Sequence, residues 1–314
     1  MKLVVQIPCL NEAATLPLVL KSIPKKITGI NEIIILVIDD GSADHTLAVA
    51  KRHGVKHFVH HVRNQGLGRS FHDGVLKALE LGADIVVNTD GDNQYPQARI
   101  GDLVQPILRG DADIVIADRQ THTIEHFSAG KKLLQQLGSA VVNKAAGTKL
   151  PDAVSGFRAY SRESLMRLNT ITRFSYCTET IIQAGNKGLH IESIPINTNP
   201  PTRPSRLFRS SAEHVRKTAV TIVRAYVMYQ PHIVFDWLGG LLFAIGLLPF
   251  ARFVIMSLED GTTRGHIQSL LIGSVLMIAA FLCLVLNIIA DLIRINRVLI
   301  EDNLEQTKRS RFGS

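Results

Sequence analysis

Leu270 to Ala290 is a run of 21 residues with no charged side chain. At a rise of about 1.5 Å per residue, a helix of that length spans roughly the 30 Å hydrocarbon core of a bilayer. The run therefore reads as a transmembrane helix. Ile233 to Met256 is a second apolar stretch of sufficient length, interrupted by Asp236 near one end, Pro249 inside and Arg252 toward the other end. An arginine so placed can snorkel to the interface, whereas a charge at the centre costs about 3 kcal/mol or more. The competing reading is a buried helical hairpin in a soluble domain. Residues 1–230 mix charged and apolar side chains as a soluble α/β protein does, so boundaries are expected at 1–205, 206–231, 232–293 and 294–314.

Positive charge surrounds the two apolar stretches unevenly. Arg203, Arg206, Arg209, Arg216, Lys217 and Arg224 precede the first, and Arg294, Arg297, Lys308, Arg309 and Arg311 follow the second. The connection Ser257 to Ile267 carries only Arg264. By the positive-inside rule both ends are expected in the cytoplasm, and the short first apolar run leading into Asn11-Glu12 does not read as a signal peptide. The net charge of +8 suits an anionic partner, and its clustering beside the apolar stretches points to phospholipid head groups or an anionic lipid substrate. No nucleic-acid-binding motif is present. Cys9, Cys177 and Cys283 lack any CxxC spacing, which fits a reducing compartment and no structural zinc.

In the soluble part, Val- and Ile-rich runs at Leu3 to Ile7, Glu32 to Ile38, His57 to Val62, Asp84 to Asn88 and Asp113 to Ala117 read as strands. Between them, Ala13 to Ser22, Ala43 to His53, Gly68 to Leu81 and Ala98 to Leu108 have helical length and periodicity. Such alternation predicts a mainly parallel sheet with helices on both faces, and ligands bind beyond the carboxyl ends of such strands. Each strand is indeed followed by polar residues: Pro8 to Glu12, Asp39-Asp40-Gly41-Ser42, Arg63 to Gly68, Asp90-Gly91-Asp92 and Asp118-Arg119. In an extended segment residues i and i+2 point the same way, so Asp90 and Asp92 can converge on one hard cation or one sugar hydroxyl. The same residues also make an ordinary turn. Asp39 and Asp40 can likewise act as helix-capping acids, and Gly66 and Gly68 as turn residues. His57, His60 and His61 match no zinc spacing and read as strand-surface residues.

These segments, in this order, resemble the family 2 glycosyltransferases of the GT-A fold. The resemblance rests on Pro8-x-x-Asn11-Glu12, Asp39-Asp40-Gly41-Ser42-x-Asp44-x-Thr46, Asn64-x-Gly66-x-Gly68, Asp90-x-Asp92 and Ser155-Gly156-Phe157-Arg158. With two carboxy-terminal spans, the chain looks most like the polyprenyl-phosphate glycosyltransferases of the dolichyl-phosphate mannose synthase group. The resemblance implies that Pro8, Asn11, Glu12, Asp39, Asp40, Gly66, Gly68 and Asp90 bind the donor nucleotide. It places Mg²⁺ or Mn²⁺ on Asp90 and Asp92, with Gln94 helping. Processive relatives carry Gln-x-x-Arg-Trp, but the only tryptophan here is Trp237, so one sugar is expected to move per acceptor.

On the acceptor side, the resemblance makes Asp152 the residue assisting the nucleophile, with a loop acid paired to Arg158 as the plain alternative. A phosphate monoester has a second pKa near 6 and is already ionised at neutral pH, so Asp152 would orient a phosphate acceptor but deprotonate a hydroxyl acceptor. Arg119, Arg158, Arg203 and Arg206, with Ser155, are expected around an acceptor phosphate, because guanidinium forks match phosphate oxygens. Glu179 resembles a carboxylate that positions substrate or pairs with an arginine. From Phe208 to Tyr229 apolar residues recur at helical spacing with Arg209, Arg216, Lys217 and Arg224 on another face, which suits an interfacial amphipathic helix. Gly239-Gly240 and Gly246 suit close helix packing, within one chain or in a homo-oligomer. The expected protein is thus a membrane-bound inverting glycosyltransferase. It moves one sugar from a UDP- or GDP-sugar to polyprenyl phosphate, with transfer to a diacylglycerol-type hydroxyl or a non-catalytic scaffold as alternatives.

Overall fold

A computed structural model describes residues 1–120, 129–170, 176–200, 231–260 and 267–313. Strands β1 (Lys2–Cys9), β2 (Glu32–Asp39), β3 (His57–His60), β4 (Ile85–Asn88) and β5 (Ile114–Asp118) lie where the sequence places them. Helices α1 (Leu16–Ser22), α2 (Thr46–Arg52), α3 (Leu67–Glu80) and α4 (Ile100–Arg109) alternate with them. The chain continues through α5 (Ala129–Ala146), β6 (Arg158–Ser161), α6 (Arg162–Arg167), α7 (Tyr176–Asn186) and β7 (Ile191–Pro195). The strands form one sheet in the order β3-β2-β1-β4-β6-β5-β7. All its pairings are parallel except the two made by β6.

The apolar runs explain this layering. Leu3, Val5 and Ile7 of β1, Ile85 and Val87 of β4, and Val115 and Ala117 of β5 are fully or almost fully buried in one cluster with Leu16 and Val19 of α1 and Ile100 and Leu103 of α4. Helix α3 packs on the opposite face, so closely that a methyl on Gly74 would lie 2.6 Å from Gln6 Oε1. Strands buried on both faces read as continuous apolar runs, as these do.

Two long helices, α8 (Pro231–Asp260) and α9 (Ile267–Phe312), follow. Both are long and apolar enough to cross a membrane, with mean hydropathies of 2.2 and 2.7 over their most apolar windows. Within this hairpin the glycines are used in packing: a methyl on Gly239 would lie 3.2 Å from Cys283 Cβ, and one on Gly273 would lie 2.7 Å from the Phe250 ring. Asn287 Nδ2 donates to Asp236 Oδ1 at 2.7 Å, so the acid interrupting the first apolar stretch has a partner on the second.

The chain divides into two compact units, Met1–Ile222 with Glu301–Ser314, and Val223–Ile300. Through the expected basic tail, 294–314, the helix continues to Phe312, and its last turns belong to the first unit. They have partners there. Lys308 Nζ donates to the carbonyls of Leu165 and Leu168 at the carboxyl end of α6, and Arg309 pairs with Glu163 and Glu305. Arg311 pairs with Glu80 at 2.7 Å, and Lys187 lies 3.7 Å from Glu305. The sequence shows these charges but not Glu163, Glu80 and the Leu165 and Leu168 carbonyls that they meet, which lie more than a hundred residues away. The expected amphipathic helix, 206–231, lies outside the described residues apart from Pro231, which begins α8, and residues 261–266 of the connection, Arg264 among them, lie outside too.

Candidate active site

Parallel strands point their carboxyl ends at one edge of the sheet, so the polar residues after β1, β2, β3, β4 and β5 gather there. Strand β6 runs the other way. Its amino end therefore reaches the same edge and brings residues 152–158 beside the Asp90 loop. A methyl placed on Gly156 would lie 3.6 Å from Asp90 Oδ2.

On the donor side the acids are held by backbone and by histidine. Asp39 is almost fully buried; Oδ1 accepts from the Ser42 N–H at 3.1 Å, and Oδ2 lies 2.9 Å from His60 Nδ1. Asp40 accepts from the N–H groups of Gln65 and Gly66 at 2.8 and 2.9 Å and lies 2.7 Å from His61 Nδ1. The second nitrogen of His61 lies 3.1 Å from Asp73, which Arg69 also contacts. His61 is thus corrected from a strand-surface residue to a buried partner of Asp40, while His60 stays exposed at the end of β3 and pairs with Asp39; Asp40 also clamps the loop that carries Gly66 and Gly68. Their partnership spans 21 residues of sequence, which no local spacing reveals. At Gly41 φ is +78°, and a methyl there would lie 2.7 Å from the Arg63 backbone, so this position requires glycine.

Asn11 joins the first two loops: its N–H donates to Ser42 Oγ, and its Oδ1 accepts from the Ala43 N–H at 2.7 Å. Pro8 is buried in β1 opposite Ile38. Glu12 is also buried, and the Thr15 hydroxyl lies 2.8 Å from both Glu12 Oε2 and the Gly91 carbonyl. Thr15 therefore ties the Glu12 carboxylate to the residue between Asp90 and Asp92, a link that the sequence motif does not contain.

The Asp90–Asp92 loop is closed by Gln97, whose buried amide donates to Thr89 Oγ1 at 2.9 Å and to the Tyr95 carbonyl at 3.0 Å. Asp92 Oδ1 accepts from the Gln94 N–H at 3.0 Å, while the Gln94 carbonyl accepts from Asn199 N–H at 2.9 Å. Asp90, Asp92 and Gln94 remain partly exposed. Among the described residues no three His, Cys, Asp or Glu side chains form a ready metal cage. Two partly exposed carboxylates, with Gln94 two residues beyond Asp92, nevertheless fit Mg²⁺ or Mn²⁺, because Mg²⁺ characteristically takes one or two carboxylates and completes its shell with substrate phosphates and water.

On the acceptor side, Asp152 and Arg119 form a bidentate pair: Nε to Oδ2 at 2.6 Å and Nη2 to Oδ1 at 2.9 Å, with the Arg119 N–H adding a contact to Oδ2. Asp152 is buried, and Arg119 is its partner rather than Arg158. Arg158 is held within the protein. Its side chain is fully buried and donates to the carbonyls of Ser155, Ala153 and Cys177 at 2.6, 2.9 and 3.0 Å, and to Thr180 Oγ1 at 3.0 Å. These bonds engage all three of its nitrogens. Ser155 is fully buried too, but its hydroxyl has no partner among the described residues. Glu179 is buried in the first turn of α7. Arg203 and Arg206 lie outside the described residues.

This arrangement of strand ends can be compared with known proteins. Residues 4–168 match the family model described as glycosyl transferase family 2, more than half of the chain. The chain belongs to glycosyl transferase family 2. Among the relatives of this family 2 glycosyltransferase is the UDP-N-acetylglucosamine–dolichyl-phosphate N-acetylglucosaminyltransferase of Methanococcus voltae, 29% identical over 213 residues, covering 61% of this chain and 83% of the relative. The polyprenol monophosphomannose synthase of Mycolicibacterium smegmatis is 27% identical over 201 residues, covering 60% and 74%. The solved glucosyl-3-phosphoglycerate synthase of Mycobacterium tuberculosis, crystallised with Mn²⁺, uridine diphosphate and glucosyl-3-phosphoglycerate, shares the fold with a TM-score of 0.54. At 22% identity it covers 72% of this chain and 78% of its own.

Proposed function

We propose that this glycosyltransferase moves a single sugar from a UDP- or GDP-sugar to polyprenyl phosphate, at a membrane held by α8 and α9. The observation that carries the acceptor assignment is the bidentate Asp152–Arg119 pair. A carboxylate engaged through both oxygens by a guanidinium is poorly suited to remove a proton from a hydroxyl, which favours the phosphate acceptor over the diacylglycerol-type hydroxyl. Asp152 instead aims Arg119 at the acceptor. The relatives named for dolichyl phosphate and for polyprenol monophosphomannose support the same acceptor class.

In this reading Pro8, Asn11, Glu12, Asp39 and the loop clamped by Asp40 receive the nucleoside. Asp90 and Asp92, with Gln94, would hold Mg²⁺ or Mn²⁺, which would supply positive charge to the departing nucleoside diphosphate. Arg119 orients the acceptor phosphate, joined by Arg203 and Arg206 from the basic loop. An ionised phosphate oxygen attacks C1 of the sugar, the bond to the diphosphate breaks, and the anomeric centre inverts. No general base is required, because the nucleophile is already an anion. Both termini and the catalytic unit face the cytoplasm.

The test is a donor screen with purified enzyme in detergent and Mn²⁺, using UDP-N-acetylglucosamine, UDP-glucose and GDP-mannose against undecaprenyl phosphate or diacylglycerol. A labelled lipid formed only from undecaprenyl phosphate, and cleaved by mild acid, is the expected result. An acid-stable product formed only on diacylglycerol overturns the assignment.

A further inference from the structure

We infer that Tyr95 and Asn88 are positioning residues that fix the distance between the donor-side carboxylates and the acceptor-side loop. They flank Asp90-Gly91-Asp92 and together engage both backbone polar groups of Gly156. The Gly156 N–H donates to Tyr95 Oη at 3.0 Å, and the Gly156 carbonyl accepts from Asn88 Nδ2 at 3.0 Å and from Tyr176 Oη at 2.9 Å. Gln6 Nε2 donates to Asn88 Oδ1 at 3.0 Å, fixing the amide from the neighbouring strand. The Tyr95 ring stacks on Phe157 at 5.1 Å, and Tyr176 stacks on Phe71 at 4.0 Å.

Two separate sets of bonds act on this loop. Arg158 ties Ala153 and Ser155 to each other and to α7, so residues 153–156 behave as one body. Tyr95 and Asn88 then dock that body against the Asp90 loop. All the participating side chains are buried. Burial raises the Tyr95 phenol above its ordinary range, so the ring stays neutral and keeps its hydroxyl hydrogen. Reacting groups must meet within a few tenths of an ångström of the productive geometry, and a misplacement of about 1 Å can cost on the order of 10²-fold in rate.

This inference rests on the proposed phosphate-acceptor reaction. Tyr95→Phe keeps the stacked ring and removes only the oxygen that accepts from Gly156. With undecaprenyl phosphate and the nucleotide sugar that the wild-type enzyme uses, kcat should fall by roughly 10- to 100-fold. The KM for that donor, and Mn²⁺-dependent binding of UDP or GDP measured by calorimetry, should stay within about twofold. Tyr176→Phe leaves the Asn88 bond to Gly156 in place and should show a smaller fall with the same split. A folded Tyr95→Phe enzyme with kcat within about twofold of wild type overturns the inference, as does a donor KM that rises by the factor by which kcat falls. Should Tyr95→Phe not be recovered folded, Tyr176→Phe decides, and an unchanged kcat there refutes the docking role. A wild-type enzyme inactive toward undecaprenyl phosphate counts against the proposed function. An active wild type with unaffected variants counts against this inference alone.

Discussion

Arg158 separates two accounts of the acceptor loop. If its guanidinium held the acceptor phosphate, replacing it would leave the fold intact and weaken acceptor binding. The structure predicts the reverse. Arg158→Met keeps much of the aliphatic volume and removes every donor. The Cys177 carbonyl retains a contact from Thr180 Oγ1 at 3.3 Å, whereas the carbonyls of Ala153 and Ser155 lose the partners described for them. Each orphaned buried carbonyl costs about 1–3 kcal/mol, or about 2–6 kcal/mol for the two. Removing a desolvated positive charge returns part of that, and loop relaxation returns more, which leaves about 3 kcal/mol. For a unit of this size that lowers the melting temperature by roughly 6–12 °C. Thermal melts of detergent-solubilised enzyme read the loss, and assays well below the melting temperature read acceptor KM. A variant that melts with wild type while acceptor KM rises about tenfold or more would refute the clamp and restore the phosphate contact.

Three further outcomes follow from the same geometry. Asp92→Asn should remove several kcal/mol of charge stabilisation at the leaving diphosphate, which is roughly 10²- to 10³-fold in kcat, and chelation of the divalent ion should have a comparable effect; full activity in the folded variant would count against Asp92 as a ligand. Asp40→Asn replaces one of the two oxygens that accept from the Gln65 and Gly66 N–H groups and should raise donor KM several-fold with little change in acceptor KM, measured by initial rates. Burial, with Lys187 nearby, pushes the Lys308 ammonium down to about 8 from its ordinary value of 10.5. A lysine depressed in the docked state pays its penalty while charged, so docking should strengthen as pH rises through 8 toward 10.5, by at most about 3 kcal/mol. Thermal midpoints of wild type should therefore climb relative to Lys308→Met between pH 7 and 9.5, and parallel curves would refute the linkage.

The strands β1 to β5 and helices α1 to α4 were legible in the sequence because each is a local run with its own period. The two apolar helices were legible because length and lack of charge are local properties too. The polar strand ends followed from the general geometry of parallel sheets, so Asp39, Asp90, Asp92 and Arg119 could be named before any coordinates. What each side chain touches was not legible. Arg158 and Arg119 are both arginines near the acceptor loop, and nothing in their neighbourhoods says which pairs with Asp152.

Tertiary structure decided that, together with the antiparallel course of β6, which turns the amino end of a strand toward an edge otherwise built from carboxyl ends. It also paired His60 and His61 with Asp39 and Asp40, and seated Lys308, Arg309 and Arg311 on α3 and α6. The physical reason is the same in each case. Propensity, period and hydropathy are summed over neighbours in the chain, whereas a buried charge or amide is satisfied by whichever group the packed sheet brings within about 3 Å.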